Sequence, residues 1–135
     1  MRMPIRDFQL ADTGDIVRIL RQNGQYSFPE VDGPKAMKRI RECSASVFIV
    51  CEINRKVVGV ARGNYDGSRA MIHQVSVHPE YQRRGIGKVL VIEIVKRFQK
   101  KGAPTVSATI MEESLPFWEK VGFSKTNIYL VGNWK

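Results

Sequence analysis

The stretch from Met71 to Ile110 changes its apolar period twice, and this constrains the fold more than any other feature of the chain. Met71-Ile72-His73-Gln74-Val75-Ser76-Val77-His78-Pro79 has strand character. From Gly85 to Lys101 the spacing turns helical: Leu90, Val91, Ile94, Val95 and Phe98 form one stripe, with Lys88, Glu93, Lys96, Arg97, Lys100 and Lys101 opposite. Gly102 and Pro104 stop that helix, and Thr105 to Ile110 reads as a strand again. A strand, a helix and a second strand of these lengths make a parallel pair joined by a right-handed crossover.

Upstream, a short strand from Ile5 precedes a helix through Ile16, Val17, Ile19 and Leu20, capped by Asp12 or Thr13 and ended by Gly24. The stretch Gln25 to Gly33 reads as a loop with two aromatics, and a short basic helix follows over Pro34 to Glu42. Val47 to Cys51, Val57 to Gly63 and Arg69 to Val77 form an antiparallel meander turning at Asn54-Arg55 and Asp66-Gly67. A short helix over Glu113 to Val121 and a last strand over Asn127 to Val131 complete the pattern. The expected class is α+β, three-layer α/β/α, with a mixed, mostly antiparallel central sheet and a strand–loop–helix–strand core. At 135 residues the chain fits a single domain spanning 1–135.

The loop between strand and helix, Gln82-Arg83-Arg84-Gly85-Ile86-Gly87-Lys88, is where chemistry is expected. The glycines permit tight backbone geometry and close ligand approach, and the first N–H groups of a helix have no intrahelical partners. Two arginines add charge-assisted contacts, so the loop suits a phosphorylated ligand. It fits neither the dinucleotide fingerprint, which needs a third glycine, nor a P-loop, which needs Gly-Lys-Ser/Thr.

Other classes are bounded by composition. No apolar run approaches the roughly 20 residues of a membrane span, and no cleavable leader is legible, so a cytoplasmic protein is expected. The only cysteines, Cys43 and Cys51, lack metal-ligand spacing; they read as buried thiols, and no metal is expected. The formal charge of +9 favours anionic partners. It leaves a nucleic-acid binder as a rival reading, against which stand the Glu93 interruption of the basic helix face and the lack of an aromatic-basic strand motif.

Taken with its context, the loop resembles that of the Gcn5-related N-acetyltransferase (GNAT) superfamily. That family has Gln/Arg-x-x-Gly-x-Gly/Ala, matched by Gln82 to Gly87, preceded by Val-x-Pro, matched by Val77-His78-Pro79. Its later Asn-x-x-Ala-x-x-Leu-Tyr-x-x-x-Gly-Phe segment is matched in part by Met111 to Phe123. The resemblance implies acetyl-CoA as donor and, as acceptor, a primary amine of a small molecule or peptide that attacks directly. It further implies that Val75, Ser76 and Val77 pair with the pantetheine amides after splaying from the parallel neighbour. The loop residues Gln82, Arg83, Arg84, Gly85, Ile86, Gly87 and Lys88 would hold the pyrophosphate.

His73, two residues before Val75 and so expected on its face, is the candidate base. His78 reads as a solvated turn residue. Tyr26, Phe28 and Glu30 are candidates for the acceptor side, with Asp32 and Asp66 as further carboxylates. At the family's proton-donating tyrosine stands Trp118, whose indole N–H cannot usefully yield a proton. Trp118 is then expected against the cofactor, and Tyr129 is the candidate hydroxyl. These departures leave a non-catalytic acyl-CoA-binding module as the main alternative. A homodimer is the common outcome where such a protein assembles.

Overall fold

The computed structural model describes residues 3–126, 130 and 132. Its strands are β1 Ile5–Asp7, β2 Ser46–Ile53, β3 Lys56–Tyr65, β4 Ala70–Val77 and β5 Val106–Ala108. Its helices are α1 Thr13–Gln22, α2 Pro29–Asp32, α3 Pro34–Glu42, α4 Ile86–Lys100 and α5 Leu115–Lys120. The strands lie in chain order in one sheet, antiparallel except for the parallel β4–β5 pair.

One face of the sheet carries α4, whose Ile86, Leu90, Val91, Ile94 and Phe98 pack with Ile49, Val58 and Ile72. The other carries α1 and Met37 of α3, where Ile16, Ile19 and Leu20 meet Phe48, Val50 and Val60. Helices on both faces of a mixed sheet give the expected three layers. α1 and α4 both end on a left-handed glycine, Gly24 and Gly102 (φ 68° and 104°). In each, two N–H groups fold back on the last turn: Gly24 to Arg21 and Gln25 to Leu20, Gly102 to Gln99 and Ala103 to Phe98. Asn54 and Arg55 both have positive φ (52° and 64°), the conformation a two-residue hairpin needs to match strand twist.

Several expectations need correction. The 25–33 loop contains a helical turn, α2, because Pro29 fixes the first φ and the Val31 and Asp32 N–H groups bond to Phe28 O. The last parallel strand is three residues, not six, since its pairing stops at Ile72↔Ala108. Cys43 is exposed at the end of α3, and only Cys51 is buried. His78 is 6% exposed, not solvated: its Nδ1 accepts from the Glu80 N–H and its ring meets Tyr81 edge-on. The expected strand over 127–131 lies outside the described residues, apart from Leu130.

Candidate active site

The geometry of the site begins with a bulge in β4. Gly63 pairs with Ile72 and Arg62 with Gln74, so His73 is an extra residue without a partner on β3. Ala70 and Ile72 face α4, as do Val75 and Val77, and the parity change between Ile72 and Val75 is absorbed at the bulge. His73 and Gln74 consequently both face the α2 side. His73 Nε2 lies 2.8 Å from Asn64 Oδ1, and Gln74 Nε2 lies 3.4 Å from Asp32 Oδ1. His73 and Val75 are therefore on opposite faces, and the two-residue spacing argument fails here.

The polar floor on this side joins Asp32, one of the expected carboxylates, to Arg62 and Gln74, which no sequence pattern marks. Arg62 donates to Asp32 Oδ1 at 2.7 Å, with side chains 13% and 15% exposed, and this ion pair ties α2 to β3. With Asn64 Oδ1 as acceptor, His73 Nε2 carries the hydrogen and Nδ1 keeps its lone pair. Burial, and then the Arg62 charge, push the imidazole below its ordinary range, so it is neutral near pH 7. Further along β4, the buried Ser76 hydroxyl donates to Gln25 Oε1 and accepts from Asn23 Nδ2. The side chain of Ser76 is thus occupied in holding the end of α1.

Beyond Ile72 the β4 edge has no strand partner among the described residues. Thr109 closes the pairing with N–H to Ile72 O at 3.0 Å. His78 N–H bonds to Val58 O, so alternation turns the Ser76 and Gln74 backbone toward β3 and leaves that of Val75 and Val77 on the open edge. Val77 O accepts there from Asn23 and Gln82 side chains at 2.8 and 2.9 Å.

The loop follows directly. Arg83 and Gly85 have φ of 65° and 84°. The first bond of α4 is Val89 N–H to Gly85 O, and the N–H groups of residues 83–88 have no acceptor among the described residues. Arg83, Arg84 and Lys88 are exposed, with Arg84 over the Tyr81 ring at 5.1 Å. Gly87 lets α4 settle on Phe117, since a Cβ there would lie 3.2 Å from the ring. Ile86 contributes only backbone to this surface, its side chain being in the core. A run of free N–H groups under two arginines, beside an open strand edge, fits a ligand with a pyrophosphate and amides.

Of the other expected residues, Trp118 is a core residue, 5% exposed and edge-on to Phe117 and Phe123, which leaves its ring little to offer a ligand. Tyr26 packs against the α1 core with Arg21 over its ring. Phe28 and Glu30 are exposed on and before α2. Asp66 caps its own turn through the Ser68 and Arg69 N–H groups, away from the bulge. Tyr129 lies outside the described residues. A cavity of about 530 Å3 lies at the opposite, C-terminal end of α4, where Arg97 is already paired with Asp7 and Glu93.

The sequence model of the Acetyltransferase (GNAT) family matches residues 16–123. Among solved structures, the chain is similar to a transcriptional regulator from Bacillus halodurans C-125 (25% identity over 98% of this chain and 100% of that one, TM-score 0.84). It also shares its fold with the PaiA N-acetyltransferase of Thermoplasma acidophilum, solved in complex with coenzyme A (17%, 96% and 94%, TM-score 0.84). A third likeness is glucosamine-6-phosphate N-acetyltransferase from Arabidopsis thaliana (18%, 100% of both chains, TM-score 0.79).

Proposed function

The chain belongs to the Acetyltransferase (GNAT) family, and from that premise we propose that it transfers acetyl from acetyl-CoA to a primary amine of a small molecule or peptide by direct attack. The observation that carries this reading is the conjunction at β4: an edge open beyond Ile72, free N–H groups at residues 83–88, and His73 lifted out by the bulge. Acetyl-CoA supplies an acyl group already activated as a thioester.

The 83–88 N–H groups, with Arg83 and Arg84, would hold the pyrophosphate. The backbones of Val75 and Val77 would pair with the pantetheine amides. His73 would take a proton at Nδ1, directly or through water, because Asn64 occupies Nε2; desolvation and the Arg62 charge keep the ring in its free-base form beforehand. An N–H on the open edge is the donor placed to polarise a carbonyl. On sequence grounds Tyr129 is assigned the proton transfer that Trp118 cannot perform.

The test is release of free thiol from acetyl-CoA against amines, amino sugars, amino acids and peptides with free N-termini, with coenzyme A affinity measured calorimetrically on the same samples. Release that depends on an amine supports the transferase. Tight coenzyme A binding with no release for any amine would replace it with a non-catalytic binder.

A further inference from the structure

The described residues include seven exposed large apolar side chains, and four flank the bulge: Phe28, Val31, Ile110 and Met111. Phe28 and Val31 are 62% and 55% exposed. Phe28 precedes and Val31 lies within α2, which the Asp32–Arg62 pair and the Asp32–Gln74 contact fix over β3 and β4, next to the bulge. Ile110 and Met111 follow Thr109, whose N–H bonds to Ile72 O and whose hydroxyl lies 3.4 Å from His73 O. Two separate segments thus approach the bulge with exposed apolar residues; of the second, Met111 shares the parity of Thr109, whereas Ile110 shares that of Val106 and Ala108, which pack on the α4 side.

The chain is strongly basic, and the cation at this floor, Arg62, is paired with Asp32. The exposed charges on the flanking elements, Glu30 on α2 and Glu112 and Glu113 after Met111, are acidic. Arg39, which donates to the Glu30 carbonyl at 3.2 Å, is the cation on the α2 side, so charge does not select the acceptor and the apolar side chains carry the argument.

Building on the acetyl-transfer reading, we propose that the acceptor is a primary amine flanked by an apolar or aryl group, with Phe28, Val31 and Met111 seating that group while His73 meets the amine. The shared chemistry has two sources, a free aralkyl or alkyl amine and a peptide N-terminus with a large apolar first residue.

The experiment compares kcat/KM for phenethylamine and hexylamine, peptides beginning Met-Leu or Phe-Leu, peptides beginning Ser-Gly, glucosamine, spermidine and kanamycin. The apolar amines or the apolar-first peptides should lead the polar acceptors by about tenfold or more, the scale on which one or two buried methylenes discriminate. Which of the two leads identifies the source. Phe28→Ser and Met111→Ser should each raise KM for the leading acceptor about five- to tenfold, with a smaller effect on kcat. Ile92→Ser, an exposed apolar position on α4, should change neither. Preference for glucosamine, spermidine, kanamycin or Ser-Gly would overturn this inference and leave the transferase standing. Transfer to no amine would remove both.

Discussion

Gly85 closes the loop with φ of 84°, and a Cβ added there would meet only Met3 Cε at 3.8 Å. Space is therefore not the issue in Gly85→Ala, and the effect is conformational. The left-handed region costs an L-residue about 1–2 kcal/mol. Restricting the unfolded chain returns about 0.4–1 kcal/mol, so the net loss is between about 0 and 1.6 kcal/mol if the loop keeps its shape. In a domain of this length that lowers Tm by up to about 6 °C. The loop can instead relax to negative φ, keep its stability and turn its N–H groups away. Ligand binding must then restore the strained form, and the affinity for coenzyme A falls by about five- to thirtyfold, since about 1–2 kcal/mol must be repaid and 1.4 kcal/mol is one decade. Scanning calorimetry and titration calorimetry on one preparation read both terms. Lost stability and lost binding should trade off within that total. Unchanged Tm with unchanged affinity would refute the role given to the left-handed glycine. A loss beyond a hundredfold would show instead that the ligand needs the missing Cβ for close approach.

His73→Ala should lower kcat/KM by about a hundredfold or more, the usual scale for a general base, and an unchanged value would remove His73 from the chemistry. Because burial and Arg62 depress the imidazole, the rate should fall only as pH drops below its ordinary value of about 6.5. Arg62→Met should move that acid limb up toward 6.5, and a limb that stays put would dismiss the Arg62 field. At the β1 end, burial alone would raise the Asp12 carboxyl, but hydrogen bonds from Arg6 and the Gln9 N–H outweigh it and hold it below the ordinary range. The stability this contributes is present above about pH 4 and is lost as pH falls through the lower folded-state value. Asp12→Asn should therefore cost about 1.5–3 kcal/mol in urea unfolding at pH 7 and flatten the loss at acid pH. Equal urea midpoints for the two proteins would contradict this.

The helices are legible because each is written in one unbroken period, and the meander because its turns stand at Asn54-Arg55 and Asp66-Gly67 between apolar, β-branched runs. Leu90, Val91, Ile94 and Phe98 fall on one face of α4, and the glycines that stop α1 and α4 stand at the left-handed position. The loop at 82–88 is legible because glycine spacing reports backbone geometry directly. The acceptor side is not. Asn64 and Arg62 stand on β3 but Asp32 on α2, and no local pattern foretells that Asp32 ends a single turn directly over Arg62. Trp118 was misplaced because a motif position does not say which way a ring packs. His73 left a trace that spacing from Val75 hid. Apolar residues fall at 70 and 72 and then at 75 and 77, and that three-residue gap is the signature of one extra residue.

That extra residue unites the two halves of the site. A bulge bends its strand and increases the local twist. Here it begins at the residue after Ile72, the last β4 residue paired with β5. β4 stays bonded to β3, as His78 N–H to Val58 O attests, so the bend parts it from β5 rather than from the meander. The same insertion sets His73 and Gln74 on one face, where Asn64 and Asp32 meet them. One added residue thus stands where the strand edge proposed for the cofactor begins and presents the imidazole proposed for the acceptor. Because both follow from the bulge, replacing His73 removes the proposed base but leaves the opening, and coenzyme A affinity should survive His73→Ala unchanged while turnover does not.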